Sequence, residues 1–211
     1  MTSLHLGDKA PDFTAETTEG LISFHDWKGE SWAILFSHPA DYTPVCTTEL
    51  GRVAQLQDEW ARRNTKIIAL SVDSVEDHRA WKPDIEEVSK VKVTYPIIAD
   101  PDKKVAELYD MIHPGEGDTS SVRSVFIIGP DNLIKLMLVY PKSAGRNFDE
   151  VLRVLDALQL TESGPFATPA DWRPGDKAIV SLALGTDEAK ERFPDLEVVK
   201  PYLRYTPQPD L

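Results

Sequence analysis

The chain has 211 residues, 41% of them hydrophobic and 27% charged, which is ordinary for a globular protein with one large domain and at most a small appendage. Its formal net charge of −12 argues against nucleic acid or an anionic membrane as the main partner. Because no apolar run approaches the ~20 residues needed to span a bilayer and the N-terminal sequence MTSLHLGDKAPDF is not a leader, we expect a cytoplasmic protein with no membrane span.

Strands and helices alternate along the first ninety or so residues, which indicates an α/β fold. Residues 32–37 form a short, almost wholly apolar strand, as expected in the middle of a sheet covered on both faces. In chain order, the elements predicted up to Lys90 are a hairpin over Asp12–Phe24, the strand 32–37, a long helix ending near Asn64, a strand over Lys66–Val72 and a helical region interrupted by Pro83.

A strong helix over Asn147–Leu160 closes the main domain, and the composition changes after it. Seven prolines lie beyond Thr161, with only short apolar runs between them. We therefore predict a main domain over 1–160 and a small C-terminal domain over 161–211. The remaining predicted elements are a strand over Tyr95–Ala99, a helix over Asp102–Tyr109, a turn over His113–Asp118, paired strands over Val122–Ile128 and Leu133–Tyr140, and short strands near Lys177–Ser181, Leu196–Val199 and Tyr202–Tyr205.

The only cysteine, Cys46, lies where the apolar strand 32–37, a proline-bounded loop and the long helix meet. Pro44 suits an early helix position and Thr43 is an acceptable N-cap, so the sulfur lies within about one turn of the helix start. The free amides and the dipole of a helix N-terminus favour the thiolate. A free cysteine is often a buried apolar filler, but a filler does not need Pro39, Thr43 and Pro44 to shape the backbone before it.

The cysteine count also limits the redox chemistry. One cysteine excludes an internal disulfide, and the absence of CxxC excludes a dithiol oxidoreductase motif and a cysteine-based zinc site. Any disulfide must therefore form with another molecule. We expect neither a cofactor nor a metal.

The stretch Pro39-Ala40-Asp41-Tyr42-Thr43-Pro44-Val45-Cys46 matches the PxxxTxxC active-site loop of peroxiredoxins. The surrounding SHPADYTPVCTTEL resembles the one-cysteine (1-Cys) subfamily of the AhpC/TSA type, and GDKAPDF from Gly7 and RSVFIIGPD from Arg123 agree. The resemblance runs from about residue 5 to the end. It implies a thioredoxin-like three-layer α/β sandwich with a central mixed sheet, a small C-terminal α+β domain that acts in dimerisation, and a homodimer.

The resemblance further implies a thiol-dependent peroxidase that reduces hydrogen peroxide and organic, including lipid, hydroperoxides in antioxidant defence. The Cys46 thiolate would attack one peroxide oxygen and become sulfenic acid. An external reductant, such as glutathione, ascorbate or a small redox protein, would then restore the thiol. The departing oxygen needs hydrogen-bond donors, and the resemblance gives this role to the planar charged fork of Arg123.

The other candidate site residues surround the cysteine in the sequence or match the same family network. Thr43 is expected to hold a peroxide oxygen, to cap the helix, or both, and Pro39 to exclude water and backbone donors from the sulfur. Glu49 lies three residues after the cysteine on nearly the same helix face, so it can orient an arginine. His38 could bond the thiolate, transfer a proton or fill a polar corner, and Arg146 is either the second arginine of the network or a surface charge.

Two alternative functions remain open from the sequence. One relative of this type hydrolyses phospholipids through a serine in a GDSWG-like segment, which here reads Gly29-Glu30-Ser31-Trp32-Ala33 with His25 upstream. Its last glycine is replaced by alanine, which opposes the tight turn of a nucleophile elbow. An esterase or phospholipase side activity at Ser31 is the first alternative. The second is a redox sensor or holdase whose assembly changes when Cys46 is oxidised.

Overall fold

The computed structural model describes residues 3–209. The chain divides into two compact units, Met1–Phe148 and Asp149–Leu211, each with its own β-sheet. The helix Phe148–Ser163, which runs across the domain boundary predicted at residue 160, is grouped with the second unit from Asp149 onward. The predicted boundary stays a prediction. Within the described range, no helix combines the length and the apolar character needed to cross a membrane.

The first unit is built on a seven-stranded mixed sheet. Its strands are β1 (Thr14–Thr17), β2 (Gly20–Ser23), β3 (Trp32–Ser37), β4 (Thr65–Ser71), β5 (Ile97–Ala99), β6 (Arg123–Ile128) and β7 (Ile134–Tyr140). They lie in the order β2-β1-β5-β4-β3-β6-β7. The pairs β3–β4 and β4–β5 are parallel, and the other pairs are antiparallel. All six side chains of β3 and of β6 are buried, so the centre of the sheet is covered on both faces, as predicted for β3.

The helices of the first unit follow the predicted order with two corrections, and α1 was not predicted. They are α1 (Phe24–Lys28), α2 (Pro44–Gln55), α3 (Gln57–Arg62), α4 (Val75–Ser89) and α5 (Lys104–Leu108), with a short 3₁₀ turn at Pro114–Glu116. The long helix predicted after β3 is divided at Leu56, where the buried indole of Trp60 donates at 3.1 Å to the Val53 carbonyl near the end of α2.

The second correction concerns α4, which continues through Pro83 instead of stopping there. Proline removes one helical hydrogen bond, but other contacts keep the helix in place. The Ser74 side chain caps its start by accepting from the Asp77 amide at 3.1 Å, and Trp81 and Ile85 bury its inner face.

The second unit consists of two helices and a small antiparallel sheet. Its elements are α6 (Phe148–Ser163), β8 (Phe166–Ala167), β9 (Ala178–Val180), α7 (Thr186–Arg192), β10 (Glu197–Lys200) and β11 (Leu203–Thr206), and the strand order is β10-β11-β9-β8. The strand β8 and the helix α7 were not predicted. β8 has only two residues, and Ala189 is the one buried residue of α7, so neither produces a periodic apolar pattern.

Candidate active site

Cys46 lies in the first turn of α2, at the carboxyl end of the central strand β3. Thr43 is the N-cap and Pro44 the first helical residue, as predicted. The amides of a first helical turn have no partner within the helix, so the position favours an anion. The cysteine is fully buried, which makes direct interactions with neighbouring side chains decisive for its reactivity.

Arg123 supplies the charge beside the sulfur. It is the first residue of β6, and its Nη1 lies 3.4 Å from Cys46 Sγ and 2.7 Å from Glu49 Oε2. Its Nε donates to the Lys142 carbonyl at 2.8 Å, which fixes the plane of the guanidinium group. The residue is only 3% exposed, so Arg123 is part of the buried site and not a solvated surface charge.

Glu49 joins the two arginines of the site. Arg146 donates from Nε to Glu49 Oε1 at 2.9 Å and from Nη2 to Oε2 at 2.7 Å, a bidentate pair. The Arg146 backbone amide also donates to Oε1 at 2.7 Å. Burial alone would raise the pKa of Glu49, but the hydrogen bonds and charge of Arg146, helped by the charge of Arg123, hold it below its usual value. The carboxylate is therefore ionised and orients both guanidinium groups.

The charges of this buried network do not cancel without the sulfur. Two guanidinium groups, of Arg123 and Arg146, face the one carboxylate of Glu49 in the contacts just described. One positive charge is left to be balanced, and Arg123 presents it to Cys46 Sγ. Because a buried charge is costly unless it is paired, this position favours an anion beside Arg123.

The loop before α2 places Pro39 and Thr43 beside the cysteine helix. Pro39 is buried and has no N–H to donate, and the expectation that it keeps water and backbone donors from the sulfur stays a prediction. Thr43 occupies the N-cap position, but its hydroxyl makes no capping hydrogen bond and donates instead to the Ala40 carbonyl at 2.8 Å. The expectation that the Thr43 side chain caps the helix is therefore wrong, because the hydroxyl is turned toward the loop carbonyl and its oxygen accepts from no amide of the first turn.

His38 is fully buried and bonds to the loop and not to the sulfur. Its Nε2 lies 2.8 Å from Asp41 Oδ1, and its backbone is held by the Leu70 carbonyl and the Ser121 hydroxyl. Its Nδ1 has no hydrogen-bond partner. Burial lowers the pKa of His38 more than the neighbouring Asp41 carboxylate raises it, so the ring is neutral. Of the three roles considered for His38, the hydrogen bonds fit the polar corner.

Two buried residues at this loop, Asp41 and His78, were not predicted as part of the site. Asp41 Oδ2 lies 2.6 Å from His78 Nδ1, and His78 Nε2 lies 3.0 Å from the Ile98 carbonyl. His78 is 37 residues from Asp41 in the sequence, so the pairing has no local signal. The sequence places Asp41 in the active-site loop. Within that loop the Asp41 side chain pairs only with His38, so the loop sequence does not indicate the second histidine.

His38, Asp41 and His78 form the one group within residues 3–209 whose donor atoms lie close enough together to suggest a metal site. The nitrogen-to-oxygen distances in this group are 2.8 and 2.6 Å. Two ligands of a tetrahedral zinc ion lie about 3.3 Å apart, given bond lengths of about 2.0–2.1 Å. The shorter distances fit hydrogen bonds with a proton between each pair of atoms, and not an intervening ion.

The structure does not join Ser31 and His25 by a hydrogen bond. The Ser31 hydroxyl donates to Asn64 Oδ1 at 2.9 Å, and His25 Nε2 donates to the Ala10 carbonyl at 2.9 Å. The other ring nitrogen of His25 lies 3.8 Å from Asp12. A nucleophilic serine needs a base within hydrogen-bond reach, and both residues have other partners here.

Comparisons with known proteins show the family of the chain. The model of the AhpC/TSA family matches residues 6–137, and that of the C-terminal domain of 1-Cys peroxiredoxin matches residues 157–196. Peroxiredoxin-6 of Rattus norvegicus is 54% identical over 220 residues, covering 98% of each chain. The chain belongs to the 1-Cys peroxiredoxins.

Two solved peroxiredoxin structures share the fold. A cysteine-to-serine mutant of Peroxiredoxin 6 of Arenicola marina superposes with a TM-score of 0.95 at 49% identity, covering 99% of this chain and 100% of that one. A yeast mitochondrial 1-Cys peroxiredoxin, described with a thiol resolving mechanism via glutathione/thioredoxin systems, superposes with a TM-score of 0.91 at 48% identity, covering 97% and 99%. These matches confirm the predicted thioredoxin-like fold with its small C-terminal domain, and this peroxiredoxin is a thiol-dependent peroxidase, an oxidoreductase that acts on peroxide.

Proposed function

We propose that this peroxiredoxin reduces hydrogen peroxide and organic hydroperoxides at Cys46, with Arg123 and Thr43 holding the peroxide oxygens. The observation that carries the proposal is the 3.4 Å contact of Arg123 Nη1 with Cys46 Sγ, in a buried network that keeps one positive charge unbalanced. The same charge that stabilises the thiolate is in place to stabilise the oxyanion that leaves as the O–O bond breaks.

The proposed first step is an in-line displacement. The Cys46 thiolate attacks one peroxide oxygen, the S–O bond forms and the O–O bond breaks, and the leaving oxygen takes a proton to become water or an alcohol. The sulfur is oxidised to sulfenic acid, and the peroxide is reduced. Arg123 donates toward the departing oxygen, the Thr43 hydroxyl lies at the helix start to bind the oxygen under attack, and Pro39 adds no competing donor.

The proposed second step uses a thiol from outside the chain, because the sequence offers no second cysteine. A first thiol attacks the sulfenic sulfur and releases water, which leaves a mixed disulfide. A second thiol attacks that disulfide, restores Cys46 and leaves as an external disulfide. The yeast relative's thiol resolving mechanism via glutathione/thioredoxin systems makes glutathione the first reductant to test here, ahead of ascorbate or a small redox protein.

The proposal extends to a homodimer in the cytoplasm, acting in antioxidant defence. β7 is an edge strand of seven residues that pairs with β6 on one side, and its outer edge can pair with a second copy. A lone unpaired cysteine fits a reducing compartment. Light scattering of the purified chain tests assembly, and fractionation of the source cells tests location. A monomeric mass or a different compartment would remove that part of the proposal.

Single-turnover oxidation tests the chemistry itself. Reduced protein is mixed with hydrogen peroxide or tert-butyl hydroperoxide, and the mass of the protein is followed by mass spectrometry with and without glutathione. Formation of one sulfenic acid, then a glutathione mixed disulfide, is the expected sequence of masses. Slow oxidation accompanied by a change in oligomer size would instead favour the redox sensor or holdase.

A further inference from the structure

The active-site loop contains a buried carboxylate held by two imidazole rings. Asp41 Oδ1 accepts from His38 Nε2 at 2.8 Å, and Asp41 Oδ2 faces His78 Nδ1 at 2.6 Å. Both histidines are fully buried, and Asp41 is 7% exposed. Asp41 lies two residues before Thr43, between the proline of the active-site motif and the start of the cysteine helix. The cluster is therefore part of the loop that shapes the peroxide site.

Counting hydrogen-bond donors assigns the protons of this cluster. Both ring nitrogens of His78 face oxygen acceptors, the Asp41 carboxylate and the Ile98 carbonyl, so both carry a proton and the ring is positively charged. His38 has one acceptor and a free Nδ1, so it is neutral. Burial raises the pKa of Asp41, but the hydrogen bonds from the two histidines outweigh burial and lower it, so Asp41 is ionised.

The cluster ties the loop to three neighbouring elements. His78 lies in the first turns of α4, and its far nitrogen donates to Ile98 in β5. The Asp41 amide donates at 2.9 Å to Asp73, which follows β4 and also accepts from Ser71. The titratable residues that hydrogen-bond to Asp41 are thus His38, His78 and Asp73, and the Tyr42 phenol interacts with it electrostatically.

The loop needs such support because its backbone is strained. Tyr42 has a φ of 53°, in the left-handed region that a bulky side chain rarely adopts. Its ring lies 6.1 Å from the Trp81 ring, which in turn lies 5.5 Å from the His38 ring. Because Tyr42 separates Asp41 from Thr43, releasing the Asp41 carboxylate would let this strain relax and move the Thr43 hydroxyl.

We propose that His78 is a positioning residue for the peroxidase reaction: its doubly protonated ring fixes the Asp41 carboxylate and thereby holds the Pro39–Thr43 loop in its reactive conformation against Cys46. The inference rests on the proposed role of Cys46 and Thr43 and extends the site to His78, 32 positions after Cys46 in the chain. The hydrogen-bond partners of the His78 ring are Asp41 and the Ile98 carbonyl, and not the sulfur. It acts through Asp41, as a buried ion pair whose partner belongs to the loop.

Two conservative variants test the two hydrogen bonds of the His78 ring one at a time. His78→Asn keeps a donor at the place of Nδ1, facing Asp41, while His78→Gln keeps a donor toward the Ile98 carbonyl and none toward Asp41. We expect the second-order rate constant of Cys46 oxidation by hydrogen peroxide to fall on the order of 10-fold in His78→Gln, because displacing positioning groups by about 1 Å costs up to about 100-fold. His78→Asn should recover part of that loss. His113→Asn, on an exposed loop, is the matched control and should react like the wild type.

Nitrogen-15 NMR of the histidine rings, in the reduced full-length protein at neutral pH, tests the proton count without any variant. Two protonated nitrogens on His78 and one on His38 are expected. A singly protonated His78, or displacement of its ring protons by added Zn²⁺ in the Cys46→Ser protein, would overturn the proposal. So would equal oxidation rates in wild type and His78→Gln, or equal losses in the Gln and Asn variants. A wild type that fails to oxidise rapidly would contradict the proposed function instead, which keeps the two failures distinct.

Discussion

The two ends of the central strand β3 each bury a charged side chain, and they use it differently. At the carboxyl end, two arginines exceed one glutamate, and the remaining positive charge meets the Cys46 sulfur. At the amino end, fully buried Lys28 donates to the carbonyls of Gly29, Ser31 and Pro130 at 2.8, 3.0 and 3.2 Å.

The comparison separates a reactive site from a structural one. The Lys28 ammonium group has three donors and three carbonyl acceptors, so its hydrogen bonds are complete. The hydroxyl of neighbouring Ser31 is bonded to an amide oxygen, which is not a base. A nucleophile next to a buried charge is therefore not sufficient for catalysis. The charge must also lack a fixed counter-charge, as it does beside Cys46.

Replacing the two nucleophile candidates gives the largest expected contrast. Cys46→Ser should abolish peroxide consumption, because a hydroxyl at neutral pH is not an anion and no second thiol is present. Ser31→Ala should consume peroxide at the wild-type rate. Both are measured with hydrogen peroxide and excess glutathione. Turnover that survives in Cys46→Ser would move the active site away from the carboxyl end of β3.

Removing the charge beside the sulfur should have the next largest effect. Arg123→Met is expected to slow Cys46 oxidation by about 10²–10³-fold, the range seen when one preorganised donor is lost. Arg123→Lys keeps the charge but not the planar fork, so its oxidation rate should lie between those of the wild type and Arg123→Met. Stopped-flow oxidation with hydrogen peroxide measures both. Arg62→Met removes an arginine whose side chain is 67% exposed, and a comparable loss there would argue against a local role for Arg123.

At the carboxyl end of β3, the features that depend on local residue spacing could be predicted from the sequence. Strand 32–37, the helix start at Pro44 and the position of Glu49 three residues after Cys46 are all readable from periodicity and capping. The role of Arg123 rested on resemblance, since an arginine at a strand end has no local signal for burial.

What could not be predicted depends on tertiary contacts. The pairing of Asp41 with His78 joins residues 37 positions apart. The hydroxyl of Thr43 turns toward Ala40 because of the loop conformation, and the break at Leu56 accompanies a hydrogen bond from buried Trp60. Buried Lys28 is the plainest case, because lysine is almost never fully buried and its carbonyl partners come from two separate turns.

Glu49 should dominate the acid stability of the buried network. Its pKa is lowered in the folded protein, so the stability it contributes is complete above its unfolded pKa of about 4.3 and is lost as the pH falls below that value. Glu49→Gln leaves two buried guanidinium groups without a counter-charge and should cost about 3–5 kcal/mol of unfolding free energy at pH 7.

Urea unfolding of the wild type and of Glu49→Gln at pH 7, 5 and 3.5 checks both the size and the pH dependence. The difference between the two proteins should shrink at the lowest pH, where Glu49 of the unfolded wild type is protonated while the folded protein holds it ionised. Glu30→Gln changes an exposed carboxylate outside the network and should track the wild type at every pH. A Glu49→Gln deficit that stays constant with pH would mean that packing, and not charge, sets the effect.

Lys28→Met should have the smallest effect and should separate the two ends of β3 most clearly. Methionine has nearly the same length but no donors, so three carbonyls would lose a hydrogen-bond partner. Lost hydrogen bonds to a charged group cost about 1.5–3 kcal/mol each, but the burial penalty of the ammonium group, which lowers the pKa of Lys28, is removed as well. We therefore expect a net loss of about 1–3 kcal/mol in unfolding free energy by urea titration. The rate of Cys46 oxidation should not change, because the lysine acts on the backbone at the opposite end of the strand. A slower oxidation in Lys28→Met would show that the two ends are coupled through β3, and that the buried lysine contributes to the peroxide site as well as to the fold.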